Sequence, residues 1–293
     1  MKRNLYKLGI IIYNFLPLKK QICVIMRSST FFVKKNLHLD LKFKGKFNVK
    51  IPNTDKKFLL NAWESTIENE IFWSGLGKTW EPETINLWIN LSQKSKVIFD
   101  IGANTGIYSL IAGTLNPNTK IIAFEPSNLV IPKFKRNMID NKLDIQLIEK
   151  GVSNECGNKV FYDVKGDHQS SASLSDQKLK YFEGFKGEIN EYRIETIRLD
   201  TFINNTGIIP DLIKIDVELH EPEVIEGMGE LLFEHKPTLI IEVLTEAIAE
   251  KLNKLFKNSS YRFYELDKIN EPNLVSDIKT KSCFNYLITT EYF

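Results

Sequence analysis

The sequence predicts an α/β fold: a doubly wound, mostly parallel seven-stranded sheet with an antiparallel edge and an inserted hairpin and loop. Short, continuous apolar runs recur from residue 97 onward, and such runs are typical of strands buried on both faces of a sheet. Helix-length segments separate the first of these runs, as in βαβ units. A glycine turn follows the first run and an acid follows the second, which is the layout of a nucleotide-binding module.

The first 50 residues are predicted to form a basic, partly apolar arm. They hold twelve Lys or Arg and one acid (+11), whereas the remaining chain holds 27 Lys or Arg and 36 acids (−9). The apolar stretch Leu8–Leu18 is flanked by lysines and is shorter than the ~20 residues that cross a bilayer. No small-x-small cleavage site follows it. Two interpretations stay open: an interfacial anchor on an anionic membrane, or a helix packed on its own domain or a partner.

Residues 51–96 are predicted to be an aromatic, helical lead-in to the main domain, which spans residues 97–293. A helix is expected from Trp80 to about Leu91, with Pro82 and acids in its first turn. Most aromatic rings of this segment are expected in a core, because large aromatic side chains usually serve burial. The alternative places Trp73 or Trp80 in a wall or lid over a bound ligand.

The stretch from residue 97 to residue 125 is the predicted centre of the fold. Two strands and the helix between them are expected at Val97–Ile101, Lys120–Phe124 and Ile107–Leu115. Gly102 and Gly106 in the intervening turn allow a close approach of ligand and helix, where a Cβ would collide. Glu125, directly after the second strand, can accept hydrogen bonds from both hydroxyls of a ribose.

The turn favours a cationic ligand over a pyrophosphate. The middle glycine of the dinucleotide fingerprint is replaced by Asn104, and the strand before the turn carries the carboxylate of Asp100. S-adenosylmethionine (SAM) combines a ribose, an amino-acid tail and a sulfonium centre, and it fits this pattern. The SAM-binding residues predicted in this stretch are Asp100, Gly102, Asn104, Gly106 and Glu125. The alternative is that the two glycines only pack a helix on a strand.

The next segment is predicted to extend the sheet. A helix over Leu129–Asn141 and a strand over Asp144–Lys150 are expected. That strand would end beside the adenine of a bound SAM, so Val152 and Ser153 are candidates for the floor of the adenine site.

An insertion is predicted at about residues 159–200. Strands at Lys159–Val164 and Glu191–Leu199 are expected to form a hairpin around a long polar loop. The small residues of Ser170–Leu174 in that loop suit a substrate lid. His168 is expected to be a solvated loop histidine.

Acidic side chains follow the strand predicted at Asp211–Val217. Asp216 lies at its end, and Glu218, His220 and Glu221 come directly after it. The carboxyl ends of parallel strands open into the ligand crevice, so Asp216 would lie near the methionine part of SAM. Glu218, His220 or Glu221 could accept a proton or orient an alcohol. The alternative is a helix N-terminus whose dipole favours acids, which fits Glu221 but leaves Asp216 unexplained.

The C-terminal part adds one helix and the edge of the sheet. A helix at Glu223–Glu234 precedes a buried strand, Pro237–Leu244, which carries Glu242. A carboxylate within an apolar strand is costly without partners, so Glu242 is a site candidate with an ion-paired core acid as the alternative. Tyr261–Leu266 and Cys283–Thr289 are expected to form the antiparallel edge. The catalytic candidates are thus Asp216, Glu218, His220 and Glu242.

The spacing of the three cysteines indicates the redox state of the cellular compartment. Cys23, Cys156 and Cys283 are far apart in sequence and have no C-x-x-C spacing, so they support neither a disulfide framework nor a metal site. Inert thiols in a reducing compartment are expected. A cytoplasmic protein is therefore predicted, with the basic arm allowing peripheral contact at the inner face of the membrane.

With these residues in place, the chain resembles the FkbM-type family of class I SAM-dependent methyltransferases from about Trp80 to Val243. The blocks that carry the resemblance follow the family's order: FDIGANTGIYSL with AFEPS, SSASL, IRLDTF, KIDVE with HEPEVIEG, and PTLIIEV. The resemblance implies that the glycine turn lines the methionine end of SAM, that Glu125 holds the ribose, and that Asp216 and Glu218 face the reaction centre. Leu219 departs from the family's glycine, and we expect it to narrow the pocket or re-aim Glu218.

These observations predict methyl transfer from SAM to a hydroxyl of a sugar, a glycan or a related polar metabolite. Such a reaction is an in-line displacement, which mainly needs two positioned substrates and a group that takes the alcohol proton. A nucleic-acid acceptor is disfavoured, because the basic residues are segregated in the arm. The alternatives are a non-catalytic protein that keeps the SAM fold and docks on a membrane or partner, and an NAD enzyme, which Asp100 and Asn104 oppose.

Overall fold

A computed structural model gives the structure of the chain. It describes residues 10, 13, 15–27, 40–164, 172–175, 189–266, 271–280 and 284–293. The chain divides into two compact units, Met1–Pro82 and Glu83–Phe293. The division falls inside the lead-in predicted at residues 51–96. His168 and the first two serines of the predicted lid lie outside the described residues.

The first unit is a helix, a hairpin and a second helix. Its elements are α1 (Lys19–Arg27), β1 (Lys44–Lys50), β2 (Lys57–Trp63) and α2 (Thr66–Ser74). The strands pair antiparallel with Val49 opposite Phe58. The rings of Phe43 and Phe47 pack edge-on against Phe72, at centroid distances of 4.6 and 5.3 Å. Trp73 is buried in the same unit and donates to the carbonyl of Leu41 at 3.4 Å, so it is a core residue.

The second unit is built on one large sheet. Its strands are β3 (Val97–Ile101), β4 (Lys120–Phe124), β5 (Ile145–Ile148), β9 (Leu212–Ile215), β10 (Thr238–Glu242), β11 (Arg262–Glu265), β12 (Asn273–Val275) and β13 (Asn285–Thr289). Across the sheet the order is β12-β11-β13-β10-β9-β3-β4-β5. The five strands from β10 to β5 run parallel, and β11, β12 and β13 form an antiparallel edge. The predicted α/β class is confirmed, and the short strand β12 brings the described sheet to eight strands instead of seven.

Helices precede β3 and separate most of the later strands along the chain. They are α3 (Pro82–Ser92), α4 (Ile107–Leu115), α5 (Ile131–Asn141), α6 (Leu199–Thr206), α7 (Glu221–Met228), α8 (Glu230–His235) and α9 (Glu246–Leu255). The single helix expected at 223–234 is wrong: Gly229, with φ 56° and ψ −139°, separates α7 from α8. Glycine takes that backbone conformation without the steric cost of a Cβ. No helix among the described residues is long and apolar enough to span a membrane.

A small second sheet contains the predicted hairpin. Strands β7 (Gly157–Val164) and β8 (Ile189–Ile197) pair antiparallel, and β6 (Gly151–Val152) pairs parallel with β8. Ser173 forms an isolated bridge with Tyr162 of β7. The insertion therefore lies next to the end of β5, where the large sheet opens.

The strand order fixes where a ligand can enter. From β3 the chain first builds β4 and β5 on one side and later adds β9 and β10 on the other. Helices on either side of such a switch point diverge, which leaves a crevice at the carboxyl ends of the two strands. Ile101 and Ile215 are paired at those ends, so the turn after β3 and the loop after β9 face the same crevice.

Candidate functional site

A cleft lies at this switch point, the place in an open parallel sheet where small-molecule sites commonly occur. Its walls include the glycine turn, the end of β4, the β5–β6 junction, the loop after β9 and part of the insertion. Six of the lining residues are Gly102, Asn104, Glu125, Val152, Asp216 and Glu218. All six belong to the predicted site, so the structure brings together residues that are up to 116 positions apart in sequence (102 to 218).

The glycine turn is shaped by positive backbone angles. Gly102 has φ 78°, and a Cβ on it would lie 1.9 Å from the carbonyl oxygen of Asp216. Asn104 also has a positive φ, 50°, a conformation that asparagine tolerates better than most residues. Its Oδ1 accepts the N–H of Thr105 at 2.8 Å. Gly106 begins α4, and a Cβ there would lie 2.1 Å from the ring of Phe134. Gly106 therefore packs the helix, whereas Gly102 brings two cleft walls together.

Glu125 is the best-defined polar group of the cleft. Its Oε2 accepts the N–H of Asn104 and its Oε1 accepts the N–H of Ser127, both at 2.8 Å. Each oxygen keeps a further lone pair for a ligand donor. Burial raises the pKa of Glu125 to about 7, against the opposing effect of the two backbone donors. Donors from a ligand would favour the ionised form, as two ribose hydroxyls do.

Asp100 lies behind the cleft wall. It is fully buried, and its Oδ2 accepts the N–H of Ser109 at 3.1 Å and the hydroxyl of Ser109 at 2.5 Å. Burial raises its pKa to about 6, against the effects of Ser109 and of Lys214. Ser109 belongs to the first turn of α4, so Asp100 ties the start of that helix to β3. Direct contact of Asp100 with a cofactor stays a prediction, and its visible contacts are those of a positioning residue.

The loop after β9 carries two acids in the cleft. The N–H of Asp216 donates to Ile101 at 3.0 Å, and its Oδ2 accepts from Lys214 at 3.3 Å. Lys214 is buried in β9, with its Nζ 5.1 Å from the ring centre of Tyr108. Glu218 has a left-handed backbone, φ 57°. A carboxyl oxygen of Glu242, at the end of β10, lies within 4.8 Å of one of Asp216, so three of the four catalytic candidates lie on neighbouring strand ends.

Leu219 occupies a strained position and points into the core. Its φ is 77°, a conformation that costs a non-glycine residue about 1–2 kcal/mol. Its side chain is buried in the cluster that includes Ile215 and Val224. The expectation that Leu219 narrows the pocket is therefore wrong, because the left-handed backbone turns the side chain into the apolar layer under the loop.

Glu221 holds the same loop from below. It is fully buried, and its Oε1 accepts the N–H groups of Val217 and Leu219, each at 3.2 Å. Its other oxygen has no hydrogen-bond partner in the described structure. Burial raises the pKa of Glu221 to about 7, and the charge of Asp216 acts in the same direction. The alternative of a helix-start acid thus holds for Glu221, which is also a positioning residue for the loop.

His220 and Ser153 face each other beneath the cleft. The Nε2 of His220 lies 3.0 Å from the hydroxyl oxygen of Ser153, and its Nδ1 lies 3.7 Å from a carboxyl oxygen of Glu223. Burial lowers the pKa of His220 to about 4, so the ring is neutral at pH 7. Val152 lines the cleft, as expected for an adenine floor, whereas Ser153 is buried against His220.

Residues 172–175 of the insertion close one side of the cleft. Ser173 exchanges two backbone hydrogen bonds with Tyr162, each at 2.9 Å, and its hydroxyl donates to the carbonyl of Glu218. Its neighbours Ala172 and Leu174 line the cleft. This placement fits the predicted lid for the part of the lid that is described.

Two structural residues near the cleft were missing from the sequence interpretation. A Cβ on Gly227 would lie 2.3 Å from the carbonyl oxygen of Ser153, so glycine is needed where α7 crosses the end of β6. Arg198 binds both carboxyl oxygens of Asp200 and donates to the carbonyl of Asn154. Arg198 lies in the block IRLDTF and Gly227 in the block HEPEVIEG, but the sequence of a block does not indicate which residues it contacts.

The residues present fit SAM as a bound cofactor. The fit rests on two observations. At Gly102 there is no room for a side chain beside the backbone of Asp216, and the carboxyl oxygens of Glu125 keep lone pairs that can accept further hydrogen bonds in the cleft. The lining acids Glu125, Asp216 and Glu218 outnumber the lining cation Lys150, itself paired with Glu195. A sulfonium or ammonium group would be favoured in these surroundings, and a pyrophosphate would be repelled.

Comparison with known proteins identifies the family. A model of the methyltransferase FkbM domain matches residues 100–263, which is more than half of the chain. The 31-O-demethyl-FK506 methyltransferase FkbM of Streptomyces tacrolimicus is 28% identical, over 45% of this chain and 59% of that protein. The hexuronic acid methyltransferase AglP of Haloferax volcanii is 24% identical, over 65% of this chain and 73% of that protein. The chain thus spans about three fifths of the first of these relatives.

Solved structures of low identity also match. The methyltransferase FkbM from Methylobacillus flagellatus KT is 14% identical, with a TM-score of 0.42 over 67% of this chain and 43% of that chain. A SAM-dependent methyltransferase from Agrobacterium tumefaciens is 12% identical, with a TM-score of 0.44 over 85% of this chain and 71% of that chain.

Proposed function

The chain belongs to the methyltransferase FkbM domain family, and we propose that it transfers a methyl group from SAM to a hydroxyl of a sugar, a glycan or a related polar metabolite. The observation that carries the proposal is Glu125, a buried carboxylate held by two backbone N–H groups at the switch point of the sheet. Its free lone pairs, together with the glycine turn beside it, suit a ribose and an amino-acid tail.

In this proposal the cleft residues divide the cofactor between them. Glu125 accepts the ribose hydroxyls, Gly102 and Asn104 line the amino-acid tail, and Val152 lies against the adenine. Asp100, through Ser109, and Glu221, through the loop after β9, hold the walls in place. SAM, when bound, supplies an electrophilic methyl group on a sulfonium centre.

The acceptor side of the cleft supplies the proton acceptor. When the acceptor oxygen gains the methyl group, its hydroxyl proton must leave, and carboxylates at the cleft can take it. Asp216 and Glu218 line the cleft, and Glu242 lies beside Asp216. We assign His220 a positioning role, because its neutral ring is engaged with the hydroxyl of Ser153.

The acceptor and the place of action complete the proposal. One relative is named for a hexuronic acid and another for 31-O-demethyl-FK506, so a hydroxyl-bearing small molecule or glycan is the proposed acceptor class. We place the reaction in the cytoplasm, with peripheral contact between residues 1–50 and the anionic inner face of the membrane. The net charge of +11 in those residues supports that contact.

Calorimetric titration with SAM tests the cofactor assignment. The variant Glu125→Gln turns one acceptor oxygen into an N–H donor that faces the backbone N–H of Asn104 or Ser127. The displaced side chain would lose a hydrogen bond to the ribose of SAM. Loss of such a buried hydrogen bond costs about 1–3 kcal/mol, so the Kd for SAM should rise by roughly 5- to 150-fold. The exposed acid Glu250 provides the control, Glu250→Gln, with wild-type affinity. Equal affinity in all three proteins would overturn the assignment of Glu125.

A panel of hydroxyl acceptors then separates the enzyme from the non-catalytic alternative. With labelled SAM, the enzyme proposal expects methyl incorporation into at least one sugar or glycan and none into the same compound lacking the hydroxyl. Tight SAM binding without incorporation into any acceptor would favour a binding protein.

A further inference from the structure

The first unit exposes an unusual number of large apolar side chains within eleven residues. Soluble proteins rarely present contiguous apolar patches unless they contact a partner or a lipid. The exposed fractions are 84% for Phe15, 40% for Leu16, 66% for Leu18, 50% for Val24 and 71% for Ile25.

Helix α1 is fixed with two of these side chains, Val24 and Ile25, exposed. Cys23 on the opposite face is fully buried, with its sulfur 3.1 Å from the hydroxyl of Tyr13 and 3.7 Å from the carbonyl of Leu41. The Tyr13 hydroxyl also donates to the carbonyl of Lys42 at 2.7 Å. Because these contacts hold the inner face, a rotation of the helix that buried Val24 and Ile25 would break them.

Lysines border two of the exposed apolar residues, Leu16 and Leu18. A surface depression beside α1 is lined by Lys19, Lys20 and Lys44 together with Leu16 and Leu18. Glu64 is the acid in this lining, and its two oxygens lie 3.6 Å from Lys19 and 3.4 Å from Lys44. Three cations against one anion leave the depression positive, next to side chains that water does not favour.

We propose that these residues form a docking site for an anionic lipid bilayer, with the apolar side chains inserted at the headgroup level and the lysines against lipid phosphates. The α1 surface is defined here as Phe15, Leu16, Leu18, Lys19, Lys20, Val24, Ile25 and Lys44. It offers the two signals that peripheral binding needs, an apolar insertion and a basic patch. A second copy of the chain would meet the same net positive charge of the first 50 residues, which disfavours a dimer through this face. The inference rests on the membrane contact in the proposed function and assigns it to named residues, and its vesicle test can fail or succeed separately from the tests of methyl transfer.

Co-sedimentation of the full chain with vesicles tests the charge component. We expect strong binding to vesicles of 70% phosphatidylcholine and 30% phosphatidylglycerol, and weak binding to phosphatidylcholine alone. The double variant Lys20→Gln/Lys44→Gln keeps Lys19 beside Glu64 and removes two charges. At about fivefold per lysine, it should lower partitioning onto anionic vesicles by about 25-fold. The control Lys254→Gln/Lys257→Gln removes two exposed lysines of the second unit and should bind as the wild type does.

A matched pair of isoleucine variants tests the apolar component of binding. Ile25→Ser on the α1 surface should lower partitioning by about tenfold, because the lost carbons no longer leave water. Ile139→Ser removes an isoleucine of similar exposure, 68%, in the second unit and should leave binding unchanged. Since both positions are exposed, the melting temperatures should stay close to that of the wild type.

Several results would overturn the proposal. These are no sedimentation with anionic vesicles, equal sedimentation with neutral and anionic vesicles, or equal losses in the two isoleucine variants. Sedimentation velocity without lipid tests the other occupant: self-association that Ile25→Ser abolishes would assign the surface to a second copy of the chain.

Discussion

Replacing Gly102 with alanine tests whether the cleft depends on the contact between its two central loops. The new Cβ would lie 1.9 Å from the carbonyl oxygen of Asp216 and 2.8 Å from its carbonyl carbon, whereas real Cβ contacts stay above 3.0 Å. Both atoms belong to the backbone, so a side-chain rotation cannot relieve the clash. The glycine turn and the loop after β9 would have to separate by about 1 Å.

The expected loss has two parts. Alanine at φ 78° costs about 1–2 kcal/mol for its left-handed backbone, and forcing an extra carbon into a packed site costs about 1–3 kcal/mol. The sum is roughly 2–5 kcal/mol. Gly207 supplies the matched control, because it has φ 67° and no atom within 4 Å of an added Cβ. Gly207→Ala should therefore show the first part alone.

Urea unfolding and SAM titration measure the two consequences. We expect Gly102→Ala to lose at least about 1 kcal/mol more unfolding free energy than Gly207→Ala, with similar m-values. We also expect weaker SAM binding in Gly102→Ala, since the displaced loops both line the cleft, and wild-type binding in Gly207→Ala. Equal unfolding losses in the two variants would refute the claim that Gly102 is required by the contact with Asp216.

Two further predictions concern the loop after β9. Burial raises the pKa of Glu221 from 4.5 to about 7, so the folded protein binds this proton more tightly than the unfolded chain does; the stabilisation is full below pH 4.5 and is lost as the pH rises through 7. The unfolding free energy of Glu221→Gln, measured with urea, should therefore rise relative to that of the wild type by up to about 3 kcal/mol between pH 4.5 and pH 8. If the unfolding free energies of the two proteins changed in parallel with pH, the raised pKa of Glu221 would be contradicted. Leu219→Gly should lower the unfolding free energy by about 1–4 kcal/mol, because the lost core side chain outweighs the relieved strain. It should also weaken SAM binding, because the loop that carries Asp216 and Glu218 into the cleft loses the anchor of the Leu219 side chain; unchanged SAM affinity together with a wider range of acceptor sizes would instead place Leu219 at the pocket.

Local pattern sufficed for the centre of the fold. The apolar runs and the turn predict that Gly102, Asn104 and Glu125 lie at one edge of the sheet, and in the structure all three line the same cleft, because a parallel sheet brings the carboxyl ends of neighbouring strands to one edge. The antiparallel edge formed by β11 and β13 was also predicted, because both segments have strand-like sequences and lie near each other in the chain. The break between α7 and α8 was missed because a glycine within a helical pattern is tolerated as often as it ends a helix.

The contacts of the site residues could not be predicted, because the sequence does not fix the direction in which each side chain points. Asp100 lies next to the end of β3, and alternation along a strand decides whether its carboxylate meets the cleft or the helix above it; the structure sends it to Ser109. The contact between His220 and Ser153 joins residues 67 positions apart, and no spacing rule relates them. Gly227 is likewise explained by a neighbour, the carbonyl of Ser153.

The loop from Asp216 to Glu221 shows how strain and burial are balanced beside the cleft. Glu218 and Leu219 both have a positive φ, and two such residues together cost about 2–4 kcal/mol. Two contacts oppose that cost: the burial of the Leu219 side chain, which contributes about 1.5–3 kcal/mol, and the two hydrogen bonds from the loop to Glu221. A glycine at position 219 would remove the strain and the anchor at once. Leucine therefore holds the strained loop in place through its own buried side chain.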